Sequence, residues 1–410
     1  MLSTEPALPH TTVRDFGFLT ALRMLRTPLQ YYRSWHVGPI PDSFQGAGAK
    51  SPAAFVTERA TTPILIVTYR NTADIVACLT AVRAARPTPA FEIFLCENGG
   101  SEAYRDLVAA LTAENGPCLA CLETGLQEEL DTPLLTTRLL LRLRGRADAP
   151  LVHVGEAKEN LGYAGGVNAW LRPLMAVPSW PAAWILNPDT EPAPDALSEL
   201  AAYAAQWGKG MVGSRLVPTA QPDSVHSRGL RWSKSRAVAC SVDLRARDNI
   251  EPDPKGVDSR LDSPSGASMY VTRRCIEQIG LMDEGYFLFF EDLEWGLRAK
   301  RLFGVGYAHR SVVVHAGGTT IGSSINDSHR SALSVYLEYR NSILFVRKNF
   351  PRWLLWTVML QLVRLGVKGR AYPPGNRSAA FGGIVAGVRG RFGRPNSDVQ
   401  NQRTARRRRN

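Results

Sequence analysis

The run Pro63-Ile64-Leu65-Ile66-Val67-Thr68-Tyr69-Arg70-Asn71 sets the architecture. From Ile64 to Thr68 it is apolar and rich in β-branched residues, without the polar alternation of a half-solvated strand, so it reads as a strand covered on both faces. Outward from it, Asn71 to Arg86 has helical spacing, Phe91 to Cys96 is a second strand and Glu102 to Leu111 a second helix. Such strand–helix alternation predicts an α/β fold with a doubly wound, mixed but mainly parallel sheet flanked by helices. Further strands are expected at Leu151–Val154, Ala182–Leu186, Met211–Val217, Ala267–Thr272 and Ser311–His315. Helices are expected at Ala164–Met175, Asp195–Trp207, Arg273–Gly280 and Glu291–Phe303. Leu134–Leu143 reads as a short helix within an irregular insertion, and Asp223–Pro264 as a polar loop or hairpin over the sheet. Two helices, Ser328–Asn349 and Pro351–Lys368, close the fold as a C-terminal helical extension.

The 410 residues are 44% hydrophobic and 21% charged, which is ordinary globular composition and excludes a disordered, collagen-like or disulfide-dense chain. Lys plus Arg is 49 against 37 Asp plus Glu, a net charge of +12, which favours anionic partners such as nucleotides or phospholipid head groups. Part of the excess is local, at Arg403 and Arg406 to Arg409, and no nucleic-acid reading motif accompanies it, so nucleic acid is not an expected partner. The chain divides into an N-terminal extension (1–60) with a short amphipathic helix at Phe16–Arg26, a main domain (61–350), an amphipathic helix (351–375) and a basic tail expected to be disordered (376–410). The N-terminus lacks a signal-peptide pattern and the six cysteines are scattered, which reads as a cytoplasmic, reduced protein. Cys118 and Cys121 form a lone CxxC without the second pair that structural zinc requires. No stretch reaches the roughly 20 apolar residues of a membrane span. Trp353 to Leu365, broken by Gln361 and Arg364 and followed by Lys368, Arg370 and Arg377, suits a helix lying in an anionic membrane interface, and equally a core-packing helix.

In open α/β sheets ligands bind beyond the carboxyl ends of the strands. Here four such ends carry polar or Gly-rich turns: Thr68-Tyr69-Arg70-Asn71, Glu97-Asn98-Gly99-Gly100-Ser101, Asn160 to Asn168, and Asn187-Pro188-Asp189-Thr190. Together they predict one crevice holding a nucleotide. Glu97 suits acceptance of the imide N–H of a uracil or thymine. Gly162, Gly165 and Gly166 let backbone approach a ligand closely. Asp189 suits a divalent cation bridging two phosphates. Each turn also has a purely conformational reading, since Gly, Asn and Asp favour turns. Further on, Tyr286-Phe287-Leu288-Phe289-Phe290 leads into Glu291-Asp292 at a helix start, where acids either cap the helix or serve as a general base with an apolar wall. His315, in Val314-His315-Ala316-Gly317-Gly318, is a candidate metal ligand or a structural histidine.

As an ordered set, PILIVTYRN, ENGGS, NLGYAGGVN, ILNPDTEP, SGASMYV, GLMDEGYFLFFEDLEWGLRAKRLFG and VVVHAGGTT resemble glycosyltransferase family 2, in its bacterial rhamnosyltransferase-like branch, over residues 62 to 350. The resemblance implies a GT-A (Rossmann-like) fold and inverting transfer of a sugar from a nucleotide-diphosphate donor. dTDP-rhamnose comes first, with UDP-galactofuranose, UDP-galactose and UDP-glucose behind it. The implied acceptor is a cell-envelope glycan or a polyprenyl-linked sugar. By the same resemblance the nucleotide contacts fall on Thr68, Tyr69, Asn71, Glu97 and Asn98, extended by Gly165 and Asn187, and the metal (Mg²⁺ or Mn²⁺) on Asp189 and His315. The catalytic base falls on Asp292, beside Glu291. Two departures stand out: Asn187 replaces the first acid of the metal motif, and Glu97 stands where Asp is usual. The rival readings are a sugar nucleotidyltransferase, which would want a Gly-rich basic loop after the first strand, and a non-catalytic nucleotide-sugar or glycan-binding module.

Overall fold

The computed structural model describes residues 60–120, 131–219, 224–244, 251–316 and 330–395. The expected helix at Phe16–Arg26, Cys121 and the Arg-rich end lie outside these residues. In chain order the elements are β1 (Thr62–Thr68), α1 (Thr72–Arg83), β2 (Phe91–Glu97), α2 (Ser101–Thr112), β3 (Cys118–Ala120), β4 (Leu135–Leu143), β5 (Leu151–Ala157), α3 (Gly162–Leu174), β6 (Ala182–Leu186) and β7 (Thr190–Pro192). There follow α4 (Ala196–Trp207), β8 (Met211–Pro218), β9 (Leu230–Ser233), β10 (Val238–Ser241), α5 (Pro254–Asp258), β11 (Ser268–Thr272), α6 (Arg273–Ile279), α7 (Glu291–Leu302) and β12 (Val305–His315). The C-terminal helices are α8 (Ala332–Asn349), α9 (Leu354–Lys368) and α10 (Pro374–Val388).

Ten strands form one mixed sheet, ordered β3-β4-β5-β2-β1-β6-β11-β8-β12-β7. Its centre, β5-β2-β1-β6, is parallel, so the carboxyl ends of these strands lie along one edge. β11 then runs antiparallel between β6 and β8. Alternate residues of β1 enter different cores, Ile64 and Ile66 on one face, Leu65 and Val67 on the other. Both faces are thus covered by helices, which is why these strands read as unbroken apolar runs.

Leu134–Leu143, expected as a helix, is strand β4, paired antiparallel with β5 (Leu139 opposite Val154, Leu140 opposite His153). A short Leu/Arg stretch has no decisive period of its own, and here the open backbone edge of β5 takes it up. The span read as a loop or hairpin contains the β9–β10 hairpin and the single-turn helix α5.

α10 occupies part of the segment expected as a disordered basic tail. Its Ala380 and Ile384 are buried with Val335, Tyr339 and Ile343 of α8. Glycines make the approach close, because a Cβ on Gly383 would meet the Tyr336 carbonyl oxygen at 2.4 Å. The arginines beyond it obscured this small-residue helix in the sequence.

α9 packs the polar Thr357 and Gln361 inward and turns Leu355, Trp356, Met359, Val363 and Val367 to the surface. Val367 is 71% exposed and Leu355 60%. Among the described residues no helix is long and apolar enough to cross a membrane.

Candidate active site

A cavity of about 1360 Å³ opens beyond the carboxyl edge of the sheet. Its wall includes Thr68 and Tyr69 after β1, Asn98 after β2, Asn160, Gly162 and Tyr163 around the start of α3, and Asn187 and Asp189 after β6. Glu291, Asp292 and His315 face the same space. The four strand ends and the distant acid therefore share one cleft.

Glu97, at the end of β2, has no exposed surface. Its Oε1 accepts the backbone N–H groups of Gly99 (2.6 Å) and Arg70 (3.2 Å), and its Oε2 accepts the Thr68 hydroxyl (3.2 Å). Burial raises its pKa, and these three donors pull it back. Glu97 ties together the loops after β1 and β2, and it lies behind the cavity wall rather than on it. Asn71 is likewise off the wall, its Oδ1 accepting the Tyr69 N–H (3.0 Å) and sharing the one Thr68 hydroxyl proton (2.5 Å) with Glu97. The Asn98 amide donates to the Gly162 carbonyl (3.0 Å) and accepts from the Leu161 N–H (3.3 Å), fastening the third loop to the second. Gly162 has φ +73, and a Cβ there would lie 2.1 Å from the Phe287 carbonyl oxygen. This is the glycine that the site needs. Gly165 sits off the wall, and a Cβ there would press on Leu161 of its own turn at 2.8 Å.

β12 pairs with β7 so that His315 stands opposite Thr190, one residue beyond Asp189. His315 Nε2 is 3.3 Å from Asp189 Oδ1, and among the described residues its buried Nδ1 has no hydrogen-bond partner. His315 Nε2 and Asp189 Oδ1 together offer one nitrogen and one oxygen donor that fit a divalent cation, with Asn187 on the same wall. No group of three or more His, Cys, Asp or Glu side chains able to hold a metal occurs among the described residues, so these side chains would supply only part of a cation's coordination. His226, not singled out in the sequence, lies with its ring centroid 5.5 Å from that of His315. Burial first, then His315, lowers its pKa.

Asp292 is half-buried at the start of α7. Its Oδ2 accepts the Gly266 N–H (3.0 Å) and its Oδ1 accepts the Leu293 N–H (2.7 Å). The Tyr163 hydroxyl donates to the Gly266 carbonyl (2.7 Å), and Glu291, Asp292 and Asp189 all act on the phenol to raise its pKa, after burial. Burial also raises the Asp292 pKa above its ordinary value. Glu291 is 4% exposed, and among the described residues its Oε2 lacks a partner. Burial and the neighbouring Asp292 push it up to about 8. The folded chain thus favours protonated Glu291: this stabilisation is present below the ordinary value of 4.5 and is lost as pH rises through about 8. Glu291→Gln should therefore melt higher than the parent by a margin that grows between about pH 5 and pH 8. Thermal melts across that range check it, and a margin independent of pH would contradict the assignment.

The segment before these acids is strained. Phe287, Phe289 and Phe290 have φ of 65, 68 and 76, unusual for bulky residues. What holds it is α8. The two N–H groups of the Asn341 amide are shared among the carbonyls of Tyr286 (3.0 Å), Leu288 (2.8 Å) and Phe289 (3.0 Å). Arg340, 1% exposed, donates to the Tyr286 carbonyl (2.9 Å) and to Asn341 Oδ1 (2.8 Å). Neither residue carries a sequence signal, because an amide inside a helix declares its role only through carbonyls more than fifty positions away.

No family model matches the chain. Over 204 residues it is 22% identical to the low-salt glycan biosynthesis hexosyltransferase Agl10 of Haloferax volcanii, covering 49% of this chain and 62% of that protein's length. Among solved structures it is similar to GalNAc-T7 with UDP, GalNAc and Mn²⁺ (TM-score 0.48, 13% identity, 81% of this chain and 55% of that one). It is also similar to S. aureus TarS residues 1–349 (TM-score 0.44, 9% identity, 80% and 81%). A third is the mannosyltransferase PcManGT of Pyrobaculum calidifontis with GDP-Man and Mn²⁺ (TM-score 0.41, 13% identity, 90% and 93%).

Proposed function

We propose that the chain is an inverting glycosyltransferase that moves a sugar from a nucleotide-diphosphate donor, dTDP-rhamnose first, to a hydroxyl of a cell-envelope glycan or lipid-linked sugar. The observation that carries this reading is that the Asp292 carboxylate and the Asp189–His315 pair line one cavity with the ends of β1 and β2. The similarity to a hexosyltransferase over about half the chain supports the reaction class, and the motif set quoted above supports the rhamnosyl donor.

Thr68, Tyr69 and Asn98 stand where the nucleoside half would lie, with Glu97 and Asn71 fixing their loops from behind. Asp189 and His315, with Asn187, would hold a divalent cation, which supplies charge neutralisation for the diphosphate when bound. The Asp292 carboxylate takes the proton of the acceptor hydroxyl. The acceptor oxygen then attacks the anomeric carbon opposite the departing diphosphate, inverting its configuration through an oxocarbenium-like transition state. The Phe287–Phe290 segment excludes water beside the reacting centre. The outward apolar face of α9 supports a peripheral position on the inner face of the plasma membrane.

The test is a thermal-stabilisation screen of nucleotide sugars with and without Mn²⁺, followed by assay of released nucleoside diphosphate. A donor sugar should raise the melting temperature only with the cation, and Asp189→Ala should lose that dependence. Stabilisation without turnover in the presence of candidate acceptors would favour a binding module. A chelator that leaves the parent unaffected would overturn the metal assignment.

A further inference from the structure

The cavity does not stop at Asp292. It runs on to a wall built by Arg330 and Glu338 of the α8 start, Arg364 and Lys368 of the last turns of α9, the α9–α10 link at Tyr372, and Arg394. Four cations face one carboxylate there. Arg330 is ion-paired with Glu338. Arg394 reaches the exposed Glu159 at 3.3 Å. Arg364 donates to neutral oxygens, Gln361 Oε1 at 3.2 Å and the Arg236 carbonyl at 3.5 Å. The formal charge of this end is therefore positive, opposite to the acidic end at Asp189, Glu291 and Asp292.

The same helix carries the surface apolar stripe. Val363 and Val367 point outward, while their chain neighbours Arg364 and Lys368 line the cavity, about 100° further round the helix. Beside the stripe, a groove of about 510 Å³ lies between α9 and α10. Gly366, Gly369 and Phe381 line it, with Arg370 and Arg377 also on its wall. Hydrocarbon surface, cationic groups and catalytic acid thus follow one another around a single helix.

We propose that this cationic end is a subsite for the phosphate or diphosphate of a membrane-anchored acceptor. Its hydrocarbon chain lies along the outer face of α9 and in the α9–α10 groove, and its sugar reaches inward to Asp292. The proposal rests on the glycosyltransferase reading and names the acceptor class for the same cavity. The charge complementarity selects a phosphorylated amphiphile over a neutral glycan, and the outward stripe selects a lipid over a free sugar phosphate.

The experiment uses the full chain with three probes: farnesyl diphosphate, farnesol and inorganic pyrophosphate. Binding is read by calorimetry, and vesicles doped with farnesyl diphosphate are read by flotation. Farnesyl diphosphate should bind at least about tenfold more tightly than either other probe, because only it meets both the cations and the apolar face. The double variant Arg364→Ala, Lys368→Ala should lose about tenfold or more of that affinity, since the cations are removed. Val363→Ser with Val367→Ser should weaken flotation and farnesyl diphosphate binding, with pyrophosphate unchanged. Farnesol binding equally well would overturn the anionic subsite, and pyrophosphate binding equally well would overturn the lipid component. Displacement of farnesyl diphosphate by a nucleoside diphosphate, with indifference to Arg364 and Lys368, would place the probe in the donor site and end the proposal. Nucleotide-sugar stabilisation, measured on the same samples, reads the glycosyltransferase assignment separately. If it persists while farnesyl diphosphate fails to bind, only the acceptor proposal falls.

Discussion

Asp292→Asn should reduce sugar transfer by a factor of about 10²–10⁴, the usual worth of a positioned general base, while nucleotide-sugar binding stays close to the parent's. The amide is isosteric but takes up no proton. It also swaps one of the two acceptor oxygens that meet the Gly266 and Leu293 N–H groups for a donor, so a small stability loss accompanies the kinetic one. Donor affinity is expected to be spared because the loops proposed to face the nucleotide are held by Glu97 and Asn98, through bonds that do not involve Asp292. The pH profile carries independent information. A base acts only when ionised, and burial raises the Asp292 pKa, so the acid limb of kcat/KM should rise at a pH above the pKa of a free aspartate. Full activity of the Asn variant, or an acid limb at the pKa of a free aspartate, would remove Asp292 from this role.

Asn341→Ala should lower both stability and turnover. It strips the donor from three carbonyls in a buried setting, and a buried group left unsatisfied costs about 1–3 kcal/mol. Those bonds hold three left-handed phenylalanines immediately ahead of Glu291 and Asp292, a conformation costing about 1–3 kcal/mol per residue. Released, the segment relaxes and the Asp292 carboxylate loses its aim. The expected signature is a fall in kcat with donor KM nearly constant, together with a lower melting temperature. Asn341→Ser, which keeps one donor, should recover part of kcat. A variant that melts lower but keeps the parent kcat and pH profile would show that the clamp stabilises the fold without positioning the base.

Much of this site was legible in the sequence for a definite reason. A strand buried on both faces must be apolar throughout, as Ile64–Val67 and Ala182–Leu186 are, and the turn that ends it must supply polar groups or glycine. Strand and turn can both be read without coordinates, so Thr68, Tyr69, Asn98, Asn187 and Asp189 were identifiable from the sequence as residues at strand ends, whereas Asp292 entered as an acid at a helix start and through the family resemblance. Glu97 was legible as a special acid, but its partners were not. Only the parallel register of β1 with β2, Thr68 opposite Glu97, shows that one of its oxygens is spent on loop backbone and the other on the Thr68 hydroxyl.

The amino-acid sequence by itself determined the α/β class, the order of the central elements and the clustering of polar turns, because these follow from local periodicity and turn chemistry. Tertiary structure alone decided the rest. It made Leu135–Leu143 a strand by offering the edge of β5. It set Asn341 beneath a strained loop, and it turned the apolar side of α9 outward while burying Thr357 and Gln361. Each of these depends on which distant backbone or side chain stands opposite, and that pairing is absent from any short window of the chain.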